Sequence, residues 1–299
     1  MFFTSLLKDA RYFQIIFQFT FLSYGIFYLG WKAEWWLYTI YLATSLLTQL
    51  LFESARSLTN GNHRPLPAKL KTSLPSAVIS ALGLCLLLKT NSITVAVLAA
   101  FISIASKYIL HINAKHIFNP SALAIVVTVF LMQNAWISPG QWGSGTVILF
   151  AVCCLGFIIT TKVQKLDVSG AFLLSFGGLL FIRQVIFVGW PLDYFIQSIS
   201  TGSVLLFCFF MISDPKTSPN HPIVRITWSI VVGIISFYLS TFKFINGAPV
   251  LVLICSQPIV PLLDKLFKAA PFQWHSTMHS TMHSTKQSVL HNTFNHLFL

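Results

Sequence analysis

The chain has 299 residues, 55% hydrophobic and only 9% charged, with a mean hydropathy of +0.75 and a formal net charge of +12. Soluble domains carry about 25% charged residues, so this chain cannot cover a water-facing surface and must have lipid as its main solvent. The positive charge does not mark a nucleic-acid binder. No basic run interleaved with aromatics lies outside the apolar stretches, and cytoplasmic loops of membrane proteins retain Lys and Arg in any case.

Residues 1–11 are short and basic and precede an apolar run at 12–31. That run is too long for a signal-peptide core and no small-residue cleavage site follows it, which predicts a first transmembrane helix left in place. A crossing needs about 20 apolar residues. On that basis the sequence predicts further spans at 35–52, 74–88, 92–110, 120–137, 144–161, 168–188, 194–213, 223–242 and 247–263. The third is short and relies on Lys71 and Lys89 reaching to the interfaces. The tenth holds Pro249, Pro258 and Pro261, which predict a broken or kinked helix. The expected fold is therefore an all-α polytopic membrane protein of about ten helices.

Charge supports this count. With the N-terminus inside, only four of the 19 Lys and Arg residues (Lys32, Lys89, Arg183 and Lys243) fall outside, and the other fifteen face the cytoplasm. This predicts a multi-pass protein of the inner cell membrane with both termini cytoplasmic. The acidic residues Asp9, Glu34, Glu53, Asp167, Asp193, Asp214 and Asp264 all sit at predicted ends or loops. Proton-coupled pumps commonly place carboxylates at membrane depth, so that class is disfavoured. The cysteines Cys85, Cys153, Cys154, Cys208 and Cys255 are odd in number and form no CxxC. They read as apolar filler rather than as disulfide, zinc or iron–sulfur ligands.

The chain divides into a cytoplasmic N-terminus at 1–11, a membrane domain at 12–268 and a low-complexity tail at 269–299. In the tail a tetrapeptide repeats, placing His275, His279 and His283 at helical spacing. A metal-binding face is one reading of it. A solvated repeat is the plainer one.

Two predicted cytoplasmic connections interrupt the apolar pattern. The first contains His116-Ile117-Phe118-Asn119-Pro120-Ser121-Ala122-Leu123, preceded by Ser106-Lys107. Asn119 can cap a helix and Pro120 suits its first position, so the fifth span is expected to open with its positive dipole end exposed. His116, Asn119 and Ser121 would crowd around it, which suits a polar or anionic ring system or a phosphate. The second is Phe209-Phe210-Met211-Ile212-Ser213-Asp214-Pro215-Lys216-Thr217-Ser218-Pro219. It offers Asp214-Pro215 and Ser218-Pro219 as further cap-and-proline pairs. The connections follow the fourth and eighth spans, which hints at two duplicated halves. Each residue also has a purely structural reading: Lys107 as a lysine reaching to the interface, His116 as a loop histidine, Asp214 as a cap, Arg183 as an outer anchor.

These two segments resemble signatures of the NqrB/RnfD membrane subunits of the sodium-pumping quinone reductase and the Rnf electron-transport complex. The resemblance spans roughly residues 10 to 270 and is closest to the smaller UnbU-type members. It implies a ten-helix subunit that passes electrons within the membrane through a flavin or quinone, alongside other membrane or peripheral redox subunits. Lys107, His116, Asn119, Pro120, Ser121, Asp214, Lys216 and Thr217 would form its cofactor site. Family members attach FMN to a Thr in a Ser-Gly-Ala-Thr motif, whereas this chain reads Ser169-Gly170-Ala171-Phe172. Phe172 has no hydroxyl, and Thr160, Thr161 and Thr201 do not match the motif, so the expected cofactor is riboflavin or FMN held non-covalently. No nucleotide-binding glycine loop is present, so hydride from NADH would have to arrive through partners. The alternative is a channel or transporter for a small or flavin-like solute, since a duplicated ten-helix bundle also suits transport. A cofactor-free membrane scaffold is the third reading.

Overall fold

A computed structural model describes residues 10–59, 66–112, 115–132, 134–138, 156, 160–161 and 165–270. Apart from residues 156 and 160–161, the expected span at 144–161 lies outside the described residues, as do Cys153, Cys154 and the histidine repeat of the tail. Helices dominate, because lipid offers backbone groups no hydrogen-bond partner and a helix satisfies them internally.

In chain order come α1 (Ala10–Phe27), α2 (Trp35–Thr59), α3 (Leu66–Leu87), strand β1 (Leu88–Thr90) and α4 (Ile93–Ile109). The hairpin β2 (His111–Ile112) and β3 (Lys115–His116) leads to α5 (Pro120–Leu131) and strand β4 (Ala135–Ile137). After a gap follow α6 (Leu166–Phe187), α7 (Leu192–Ile199), α8 (Gly202–Met211), α9 (Pro222–Phe242) and α10 (Ala248–Leu266). Among the described residues, α6, α9 and α10 are each long and apolar enough to cross a bilayer, and α7 with α8 makes a fourth candidate bent by 50°. Helices α3, α4 and α5 contribute shorter apolar stretches. Polar residues such as Gln14, Gln18 and Gln49 interrupt α1 and α2, and Gln18 and Gln49 are buried.

The bundle closes through small residues. On α4 the buried face runs Ala96, Ala99, Ala100, Ser103, Ile104 and Lys107, the helical repeat of a stripe that lets backbones approach. On α9, Ser229, Val232, Gly233 and Ser236 make the corresponding stripe. Ser229 donates to the Val168 carbonyl of α6 at 2.7 Å, and a Cβ at Gly233 would collide with Ser175. Helices α1 to α4 pack as one group, α6, α9 and α10 as another, and α5 lies between them against α3, α4 and α10.

Several boundaries differ from the sequence expectation. Residues 88 and 135–137, expected in the third and fifth spans, are strands: β1 and β4 pair antiparallel, with Leu88 opposite Ile137 and Thr90 opposite Ala135. Helices α3 and α5 end early, and the free backbone of each satisfies the other inside protein, where Leu88 is fully buried. The eighth span is broken into α7 and α8, with a bend of 50° between them. Of the prolines expected to break α10, Pro249 only opens the helix, whereas Pro258 sits in a 3₁₀ turn at Gln257–Ile259 that interrupts it.

The charged residues sort to two ends. Lys89 pairs with Glu34 at 3.2 Å at one of them, and the Arg183 guanidinium stacks over Phe187 and Phe242. At the other, Lys115 meets Asp264 at 2.7 Å, Arg225 pairs with Asp167, and Lys165 donates to the Pro219 carbonyl at 2.9 Å.

A candidate ligand cavity at the basic end of the bundle

The two segments singled out in the sequence meet in space. Asn119 caps α5: its Oδ1 accepts the Ala122 N–H and the Ser121 hydroxyl, both at 3.1 Å. Its amide nitrogen donates to the Met211 carbonyl at 3.5 Å and to Asp214 Oδ2 at 3.4 Å. Its backbone N–H donates to Gln257 Oε1 on α10 at 2.9 Å. One residue thus ties the start of α5, the end of α8 and the break in α10. The start of α5 is not an exposed dipole end, as the sequence suggested, because Pro120 and Ser121 are buried and the Ala122 and Leu123 N–H groups are taken by Asn119.

Asp214 is not a helix cap either. Its Oδ1 accepts the Lys216 N–H at 2.9 Å, its carbonyl accepts from the N–H groups of Thr217 and Ser218, and the next helix starts only at Pro222. The cause is local: a carboxylate that folds back on its own chain two residues on makes a turn rather than a helix start. Ser218-Pro219 likewise lies within this connection. Burial raises the Asp214 pKa above the usual carboxylate range, against lowering contributions from the Lys216 N–H and nearby lysines.

Beneath these segments lies a cavity of about 320 Å³. Lys107, His116, Asn119, Pro120, Ser121, Asp214 and Lys216 line it, so seven of the eight residues proposed from sequence converge there. Thr217 does not. It is buried in the turn, with its hydroxyl on the Asp214 carbonyl at 3.5 Å. Lys107 reaches from α4 to α3, where it donates to the Ser76 carbonyl at 2.8 Å and hydroxyl at 3.1 Å. The hairpin pairs His111 with His116 and delivers the latter to the cavity. Burial, reinforced by Lys107, Lys216 and His111, pushes the His116 pKa down to about 4. The imidazole is therefore neutral at physiological pH, and its Nδ1 has no hydrogen-bond partner.

Sequence reasoning missed one wall. Arg11, Gln14 and Gln18 of α1 and Ser76, Ser80 and Gly83 of α3 also line the cavity. Three glutamine and arginine residues on a single helix otherwise read as apolar were the available signal. With Arg11, Lys107 and Lys216 against Asp214, the lining is net basic. Phe172 is elsewhere, fully buried and packed against Phe176 and Phe207 with ring centroids 5.4 and 4.8 Å away. Among the described residues no group of three or more His, Cys, Asp or Glu could hold a metal ion.

Residues 131–273 match the sequence pattern of the NQR2, RnfD, RnfE family. The match, over just under half of the chain, supports its membership of the NqrB/RnfD family. The matched region contains the Asp214 segment and the Ser169-Gly170-Ala171-Phe172 run, and the Asn119-Pro120 segment lies just ahead of it. Members of this family are membrane subunits of Nqr and Rnf electron-transport complexes, which work as multi-subunit assemblies. The family and the apolar helices together make the chain a multi-pass membrane protein. No curated protein matches it.

Proposed function

We propose that this family member is an electron-transport subunit of the inner membrane that holds a riboflavin or FMN non-covalently in the cavity at its basic end. The observation that carries the reading is the convergence of both family-like segments on one cavity lined by two residues that each carry an unpartnered buried polar atom, Gln18 Oε1 and His116 Nδ1. The residues present fit a flavin. A volume of about 320 Å³ is adequate for a small planar ligand, since such sites run from about 300 to 1,000 Å³. Phe209 and Phe210 offer apolar surface, and Arg11, Lys107 and Lys216 balance an electron-rich ring or a phosphate. A bound flavin would supply the capacity to take up and release electrons. The chain's own part is to orient it, exclude water and present a neutral imidazole at Nδ1. Buried Phe172 leaves no hydroxyl for covalent attachment at the family position.

The fifteen-to-four division of basic residues supports a cytoplasmic location for this end and for both termini. Electrons would then be exchanged with further subunits, and the family's multi-subunit habit supports that. The test is an absorbance spectrum of detergent-purified protein, followed by acid precipitation. The expected result is a flavin spectrum that moves entirely to the acid supernatant. A fluorescent protein band on a denaturing gel would overturn the non-covalent reading. A colourless protein, prepared under conditions that preserve cofactors, would favour transport, to be measured as solute flux into liposomes.

A further inference from the structure

The first helix brings to the cavity a side chain that belongs to neither motif. Gln18 is 3% exposed, lines the cavity, and its Oε1 accepts no hydrogen bond. Phe17 beside it packs at a tilt against Phe210 of α8, with ring centroids 5.0 Å apart, which holds α1 to the far wall at this level. The other end of the amide lies over Gly83. A Cβ on that glycine would stand 3.8 Å from Gln18 Nε2 and 3.3 Å from Ser121 Oγ, so the absence of a side chain keeps the floor open where α1, α3 and α5 meet. A buried amide oxygen that accepts no hydrogen bond is costly, and the residue that carries it lines the cavity.

We infer that Gln18 is the specificity-determining residue of the cavity, and that it selects a planar heterocycle with an imide edge over a quinone. This rests on the flavin reading and deepens it. A primary amide presents one donor and one acceptor side by side. An imide edge, an N–H beside a carbonyl, answers both. A quinone carbonyl only accepts, and would leave the Gln18 oxygen unpaired. Discrimination by a buried polar group that a wrong ligand leaves unsatisfied is stronger than discrimination by size.

The experiment uses the full chain purified in detergent and stripped of ligand, titrated separately with riboflavin, its N3-methyl analogue and menadione. Binding is followed by fluorescence quenching and by thermal unfolding. Wild type is expected to hold riboflavin about ten- to a hundredfold more tightly than the N3-methyl analogue, the range for one buried hydrogen bond. Gln18→Met, similar in length but without the amide, should bind both flavins alike and near the level of wild type with the analogue. Menadione should bind the two proteins equally. The ligand-free variant should unfold at no lower a temperature than wild type, because an unpaired buried group has been removed. A variant that keeps the wild-type preference, or a wild type that binds both flavins equally, overturns the role of Gln18 and leaves the flavin reading standing. A ligand-free variant that unfolds earlier with its preference intact makes Gln18 a packing residue. A wild type that binds no flavin overturns both.

Discussion

Asn119 offers the sharpest test of how the cavity is built. Its amide oxygen is used twice and its amide nitrogen twice, all within the protein, so it holds the site together rather than reading a ligand. Asn119→Ala loses a cap worth about 1 kcal/mol and leaves the Met211 carbonyl and the Asp214 carboxylate short of a donor. Asn119→Asp keeps the capping oxygen, yet it is expected to be the worse substitution at neutral pH. The new carboxylate would replace a donor that lies 3.4 Å from Asp214 Oδ2. Two like charges about 4 Å apart repel by about 4 kcal/mol at an effective dielectric of about 20, and sharing a proton relieves part of this. A net loss of about 2–4 kcal/mol at pH 7.5 is the working figure. Burial already raises the Asp214 pKa. A carboxyl raised in the folded state contributes stability that is complete below its unfolded value, near 3.9, and is lost as pH rises through the folded value. The second carboxylate enlarges that loss. Thermal unfolding of the purified protein from pH 7.5 to 5 should therefore show the Asp variant's deficit shrinking with acid, and the Ala variant's staying nearly flat. An Asp variant as stable as wild type at pH 7.5, or one with a pH-independent deficit, would refute the reasoning.

Three further outcomes are expected. Lys115 joins the hairpin to Ser218, Asn220 and Asp264 at 2.5, 3.2 and 2.7 Å, so Lys115→Met should cost about 1–3 kcal/mol in thermal unfolding, and adding Asp264→Leu should recover part of it; a fully additive double variant would mean the pair is not coupled. Phe172→Thr should lose about 3–5 kcal/mol of core packing and still give no fluorescent protein band, since this position faces Phe176 and Phe207; a fluorescent band after incubation with flavin would show that the position is accessible. Reporter fusions after Lys286 should read cytoplasm and those within 137–143 the outside; the reverse would invalidate the charge-based orientation.

The membrane class, the helical fold and the positions of its apolar segments are legible in the sequence, because apolarity, span length and proline placement are local properties that lipid reads one segment at a time. The sequence also located Asn119 as a cap and brought forward Lys107, His116 and Asp214, since polar residues stand out where nearly everything else is apolar. Which partner each polar group finds is a different kind of fact. Asn119 meets Met211 and Gln257 across 92 and 138 residues, Lys107 finds Ser76 on another helix, and Asp214 turns back on Lys216 instead of starting a helix. Thr217 lies outside the cavity lining and Gln18 within it for the same reason: the face a side chain presents depends on how the helices and turns pack, and hydropathy along one strip of chain carries no record of that. The ends of α3 and α5 show the same division. Each reads as the tail of an apolar span, and only their closeness in the folded bundle lets β1 and β4 satisfy one another's backbone.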